Sequence, residues 1–189
     1  MLQINDLSKI YGDEQIIRHL TMSLHPNQIY CLMAPSGTGK TTLFRILMGL
    51  EPADSGQILG LEGKRIAAVF QEDRLLEGYS ALENLRFVTG RQYSTDELTA
   101  ILQHVLPAES LKKPVCEFSG GMKRRVAILR ALLAPSDLVI MDEPFTGLDL
   151  ETKKIMIELI KEYTCGKLVL IATHAAEDAA LLSAEIVRL

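Results

Sequence analysis

Apolar positions along the chain fall into two patterns: short unbroken runs, and residues recurring three or four positions apart. Tyr30-Cys31-Leu32-Met33, Ile66 to Phe70, Leu138 to Met141 and Lys167 to Ala172 are of the first kind. Such runs suit strands buried on both faces of a parallel sheet. Leu43, Leu47 and Leu50 are of the second kind, and they predict a helix over residues 43–50. Met122, Val126, Leu129 and Leu133 predict another, and Leu150, Ile155, Met156, Leu159 and Tyr163 a third. Strands alternating with helices predict an α/β core.

Residues 2–7 and 16–24 read as two short strands joined by Tyr11-Gly12-Asp13-Glu14. These form an antiparallel N-terminal element. His25-Pro26-Asn27 makes the turn into the strand at Tyr30, and Glu51 to Gly56 stops the following helix before a strand at Gln57. Residues 80–133 change character. Ser80 with Glu83 reads as a capping box for a helix to about Val88, and Ser94 to Leu106 as a second helix closed by Pro107. No strand is predicted there. The chain divides into a core of about 1–72 and 134–189 and an inserted helical subdomain of about 73–133, with Lys167–Ala172 as the last core strand.

Composition narrows the function. At 189 residues the chain suits one domain with an ample core, and 48% hydrophobic and 23% charged residues are ordinary for a globular protein. A net charge of −4 gives no general attraction to nucleic acid or anionic lipid. No apolar stretch approaches the ~18 residues of a membrane span. Met1 to Asp6 carries neither a basic region nor an apolar block, so no signal peptide is expected. Cys31, Cys116 and Cys165 lie far apart without a C-x-x-C pair, and read as buried or incidental thiols in a reducing cytosol. Any work at a membrane must come through a partner.

The chemistry is concentrated after Met33. Ala34-Pro35-Ser36-Gly37-Thr38-Gly39-Lys40-Thr41-Thr42 links an apolar strand to a helix. Such a turn aims backbone N–H groups and a helix N-terminus at one spot, a ready anion site. Lys40 adds a mobile charge for outer phosphates, and Thr41 a hydroxyl for a magnesium ion. This is a P-loop, with one departure: Ala34 stands where the pattern asks for glycine. Its methyl group is tolerable with β-region dihedrals and costly at positive φ.

Other candidates follow in order. Tyr11 reads either as a base-stacking residue or as a surface tyrosine beside a turn. Gln71 follows an apolar strand, where α/β sheets place ligand contacts, so it reads as a group for a phosphate-bound metal or water, or as a loop glutamine. Ser119 stands where an N-cap belongs, ahead of Gly120, Gly121 and Met122. Lys123, Arg124 and Arg125 then oppose the helix dipole, which an anion would relieve; three solvated cations are the alternative. Asp142 ends a strand, suited to hold magnesium through its water shell, and Glu143 is placed to take a proton from water. His174 with Glu177 lacks a third ligand and makes a poor metal site, and His174 at a strand end suits a phosphate.

Tyr11, the 34–42 loop, Gln71, Ser119-Gly120-Gly121, Asp142-Glu143 and His174 stand in one order, and over its whole length the chain resembles the nucleotide-binding subunit of an ABC transporter. The Ser-Gly-Gly motif between P-loop and acidic strand is specific to that class. The resemblance implies a P-loop NTPase (RecA-like) core, with ATP and Mg2+ as ligands. It implies that Tyr11 stacks on adenine, that residues 34–42 wrap the phosphates, and that Thr41, Gln71 and Asp142 organise magnesium. Glu143 would be the general base, His174 would contact the γ-phosphate, and Lys40 and Gln71 would assist catalysis. Ser119 to Met122 would cover the ATP of a second copy of the chain, with Asp149 at that interface.

The departures are Phe118 and Met122 where Leu and Gln are usual, and His174-Ala175 where His-Asp is usual. The short interval after Gln71, and an end soon after His174, suggest a minimal cassette without a C-terminal regulatory domain. Val69 to Leu76 resembles the ATPases of nitrate, sulfonate and taurine importers and leans the reading towards import. The implied partners are the second copy, membrane permease subunits and, through them, a solute-binding protein, but no nucleic acid. The implied location is the cytoplasmic face of the membrane. The alternatives are a soluble ABC-type ATPase of translation or DNA repair, and a nucleotide-sensing module without turnover. No Asn-Lys-x-Asp motif supports a GTPase.

Overall fold

The computed structural model describes residues 1–35 and 37–189. β1 (Leu2–Tyr11) and β2 (Glu14–Leu24) form an antiparallel hairpin that reaches further toward the turn than the apolar pattern indicates. Its turn needs two residues, and Gly12 supplies the positive φ of 58°. β3 (Ile29–Met33) leads through the loop to α1 (Lys40–Leu47). β4 (Ser55–Leu59) returns to pair with β1, completing a three-stranded sheet of order β2-β1-β4.

β5 (Ile66–Val69) belongs to the main sheet, with β6 (Leu138–Asp142) and β7 (Leu168–Ala172). Between β5 and β6 come α2 (Ala81–Thr89), α3 (Thr95–Val105) and α4 (Gly120–Leu133). The expected capping box at Ser80 is formed, and Ser94 makes a second one that the sequence reading did not single out: each serine accepts from the third helical residue, whose carboxylate returns to the cap. α5 (Leu150–Tyr163), α6 (Ala176–Leu182) and β8 (Glu185–Arg188) complete the chain. The main sheet is parallel, in the order β5-β6-β7-β3-β8.

Alternation along the central strands sorts the core. Leu138 and Ile140 face one way, with Leu32, Leu170 and α1 residues Leu43, Phe44 and Leu47 beneath the N-terminal sheet. Val139 and Met141 face the other way, against Val126, Leu129, Met156 and Ile160. β6 and β7 are buried throughout, which is why their sequences are unbroken apolar runs.

Three expectations are corrected. The P-loop helix ends at Leu47, and Leu50 is 61% exposed. Gly49, with φ 68°, turns the chain out before Glu51-Pro52 is reached. Lys167–Ala172 is not the last core strand, because β8 adds beside β3. On α5, Met156 and Leu159 are buried but Leu150 and Ile155 are exposed, so part of that apolar spacing lies outside the core. Cys31 is buried, while Cys116 and Cys165 are exposed.

Candidate functional site

In a parallel sheet every strand ends on the same side, and loops leaving those ends share one crevice. The loops after β3, β5, β6 and β7 therefore converge. They build a cavity of about 320 Å³ lined by Tyr11, Ile16, Gly37, Gly39, Lys40, Thr41, Thr42, Gln71, Asp142, Glu143 and His174. Ile16, on β2, is a lining residue that the motifs did not single out; a strand isoleucine carries no local signal of such a place.

The loop is shaped for an anion. Gly39 occupies the N-cap of α1 at φ 91° and has no side chain with which to cap that helix. The first N–H groups of α1 are thus left for an external acceptor. A Cβ on Gly39 would sit 2.9 Å from Ile16 Cγ2 and 3.1 Å from the Ile16 carbonyl oxygen, so the residue must be small as well as left-handed. Ala34 is not among the positive-φ residues, which is the condition under which its methyl group is harmless. Lys40 is buried, and its Nζ donates to the carbonyls of Ala34 (2.5 Å) and Pro35 (3.1 Å). Thr38 Oγ1 donates to Pro35 O at 2.7 Å. Ser36, the remaining loop candidate, lies outside the described residues.

Across the cavity, Thr41 Oγ1 donates to Asp142 Oδ2 at 2.6 Å, joining two residues 101 positions apart. Two hard oxygen ligands beside an anion cradle, with Gln71 on the wall, fit magnesium, which takes few protein ligands and completes its shell with phosphate and water. Among the described residues there is no cluster of three His, Cys, Asp or Glu side chains that could hold a metal unaided.

Glu143 leaves β6 with φ 48°, while its N–H still bonds Ala172 O at 3.0 Å. The turn takes its carboxylate out of the sheet and into the cavity. Its Oε1 lies 2.9 Å from His174 Nε2, yet the pair is misaligned for a hydrogen bond and Oε1, though buried, has no hydrogen-bond partner among the described residues. Burial holds the Glu143 carboxyl above its usual range, against the pull of His174 and Lys40. A partly buried carboxylate with an unused oxygen and a raised proton affinity is suited to accept a proton from water. The His174 side chain is half exposed at the cavity mouth.

Tyr11 is 44% exposed at the rim. Its hydroxyl bonds Glu51, and Lys9 Nζ lies 5.4 Å from the ring centroid. The bond to Glu51 holds the phenol above its ordinary range.

Ser119, Gly120, Gly121, Met122 and Asp149 do not line this cavity. Ser119 caps α4 by accepting from Met122 N at 3.3 Å, and Asp149 caps α5 by accepting from Thr152 N at 2.9 Å. A Cβ on Gly121 would sit 3.4 Å from Gly147 O, so the first turn of α4 and the loop before α5 lie close together. The three cations after Met122 are tied internally. Lys123 pairs with Glu77 at 3.1 Å, and Arg125 donates to Val105 O at 2.5 Å. Arg124, 7% exposed, donates to Phe70 O at 2.8 Å and Gln71 O at 2.5 Å, and its Nε is 3.1 Å from Asp73 Oδ1. Neither an anion nor free solvation explains them: Arg124 fastens the Gln71 loop to α4. Its 54-residue separation from Phe70 hides that role from any local pattern.

A family model for the ABC transporter domain matches residues 17–146. A Nod factor export ATP-binding protein I of Cupriavidus metallidurans is 34% identical over 95% of this chain and 64% of its own length. An uncharacterized ABC transporter ATP-binding protein of Haemophilus influenzae is 35% identical over 98% of this chain and 80% of its own. The aliphatic sulfonates import ATP-binding protein SsuB 2 of Burkholderia cenocepacia is 30% identical over all of this chain and 73% of its own. The chain thus spans less than two thirds of the Nod factor relatives it matches. A bacterial ABC transporter cassette solved as a dimer superposes with a TM-score of 0.84 at 25% identity, over all of this chain and 94% of that one. The same cassette in a post-hydrolysis state with ADP and Pi gives 0.85 at 24% identity, a likeness of fold. No helix among the described residues is long and apolar enough to cross a membrane. This α/β chain, with its P-loop core and antiparallel N-terminal sheet, belongs to the ATP-binding cassettes of the ABC transporter ATPase family.

Proposed function

We propose that the chain is the ATP-hydrolysing subunit of a transporter, acting as two copies that close on ATP and drive a membrane permease. The observation that carries the reading is the 2.6 Å contact between Thr41 and Asp142 beside Lys40, Glu143 and His174 in one cavity. Lys40 exchanges its two loop carbonyls for the outer phosphates, and the uncapped N–H groups of α1 hold the phosphate chain. Tyr11, held by Glu51, offers a ring face to the base. Thr41, Asp142 and Gln71 would hold magnesium, which neutralises phosphate charge. Glu143 takes the proton of the attacking water, and His174 stabilises charge on the γ-phosphate.

In this reading residues of about 73–133 form the helical subdomain. Ser119 to Met122 and Asp149, set away from the cavity of their own chain, meet the nucleotide of the second copy. A two-fold pair presents the same patch twice and so builds two composite sites. The permease holds the cassette at the inner face of the membrane and reaches a solute-binding protein. We read the direction as import from Val69 to Leu76; the relatives' names include both import and export. Phosphate release from the purified chain tests the reading. Turnover that disappears in Lys40→Ala and Glu143→Gln is expected, and turnover unchanged in both contradicts it.

A further inference from the structure

Behind the cavity wall, three elements meet in a buried polar chain that the functional motifs do not include. Asp178 of α6 is 3% exposed, although it is a carboxylate. Its Oδ1 accepts from Lys153 Nζ of α5 at 2.8 Å, and its Oδ2 from the Thr173 hydroxyl at 2.7 Å. Thr173 Oγ1 in turn accepts from Ala175 N at 3.2 Å, and Asp178 N donates back to Ala175 O at 3.0 Å. The residue enclosed by these bonds is His174.

Two facts make this arrangement informative. Ala175 stands at the N-cap of α6 and has no side chain to cap it, so the Thr173 hydroxyl receives the N–H of the turn. His174 itself is half exposed and misaligned with Glu143, so its ring direction follows the backbone of residues 173–175. A buried ion pair is weak grounds for stability, because apolar replacements are often as stable. What this pair fixes is therefore the informative part, and it fixes the two neighbours of His174.

We propose that Thr173, Asp178 and Lys153 are positioning residues that hold His174 over the nucleotide site, with Lys153 joining that hold to α5, the helix capped by Asp149. The proposal rests on the ATPase reading above and adds to it the support of its histidine.

Thr173→Val tests it, because the change removes the hydroxyl, keeps the shape and leaves the Lys153–Asp178 pair in place. A misplacement of about 1 Å can cost roughly a hundredfold in rate. The valine variant should lose at least about tenfold in kcat while its Kd for ATP moves by less than about threefold. Thr173→Ser should recover most of the rate. In 13C-histidine spectra the His174 resonance should shift or broaden with valine and return with serine. A kcat within about twofold of the unaltered chain and an unmoved His174 resonance would overturn the proposal, as would parallel loss of kcat and affinity without recovery by serine. If the valine variant does not fold, Lys153→Met combined with Asp178→Asn removes both charges, keeps an acceptor for Thr173 and is read by the same measurements. That pair should broaden His174 and lower kcat at least about fivefold, and no change in either refutes the proposal. Absence of turnover in the unaltered chain would refute the ATPase reading, while the spectra would still decide whether the clamp holds His174.

Discussion

Replacing Arg124 by methionine should be markedly destabilising although the residue lies outside the cavity lining, and its cost follows from what the guanidinium holds. Phe70 O and Gln71 O lose their donors at 2.8 and 2.5 Å, and Asp73 loses a partner 3.1 Å away. The Arg124 side chain is 9% exposed and that of Asp73 21%, so the carboxylate is left largely without water. Removing one partner of a buried pair costs about 3–5 kcal/mol. The Gln71 carbonyl belongs to an exposed residue that water can reach, which favours the low end, about 3 kcal/mol. With a urea slope near 2.5 kcal/mol/M, the unfolding midpoint should fall by roughly 1.2 M at neutral pH. The cost also depends on pH. Burial holds the Asp73 carboxyl above its ordinary range, against the pull of Arg124, Lys123 and Arg130. Without Arg124 its folded value rises further. A carboxyl raised on folding binds its proton more tightly in the native state, so it withdraws stability as pH climbs above the unfolded value. The variant should therefore lose less at about pH 4 than at about pH 7. Amide exchange at Gln71 and Glu72 should speed up in parallel. A midpoint shift below about 0.3 M, or a larger loss at the acid pH, would refute this account of Arg124.

Three further changes test the cavity. Gly39→Ala places a Cβ against Ile16 at φ 91° and should weaken ATP binding by calorimetry at least about tenfold, roughly 1.4 kcal/mol; unchanged affinity would show the loop to be roomier than described. Ala34→Gly should change that affinity by less than about tenfold, since Ala34 needs no positive φ; a larger gain would mean the methyl group strains the loop. Glu143→Gln should keep ATP binding and hold the pair of copies together on ATP. It should also raise the melting temperature of the nucleotide-free chain above the carboxyl's unfolded titration range, because burial raises the Glu143 carboxyl and its ionisation costs stability there. Below that range the gain should vanish, and a gain confined to acid pH would contradict the assignment.

What the sequence displays is whatever chemistry is local. The runs at Leu138–Asp142 and Leu168–Ala172 are apolar without alternation because both faces are buried. Ser80–Glu83 is readable because a capping box closes within four residues. The parallel strands bring their C-terminal loops together, so residues as distant as Thr41 and Asp142 meet wherever the strand ends are correctly located. β8 was not legible, since Glu185–Arg188 is short and mostly exposed and is held by pairing with β3. Leu50 matched a helical period, but the chain turns at Gly49 before reaching it. Arg124, and Lys153 with Asp178, act across 54 and 25 residues. Their partners are carbonyls and a buried carboxylate that no spacing rule connects. The left-handed turn at Glu143, which aims its carboxylate into the cavity, was equally hidden.

The central claim is that each nucleotide site is made from both copies, since Ser119 caps a helix away from the cavity of its own chain. Mixing two defective variants tests it most directly. Lys40→Ala and Ser119→Arg should each be inactive alone. Together they should form some pairs with one intact site, made of Lys40 from one copy and Ser119 from the other. The account predicts partial recovery of phosphate release, or of ATP-dependent pairing if both sites must act together. Mixtures that recover neither would contradict the composite site, because a chain using its own Ser119 would leave a defect in every site.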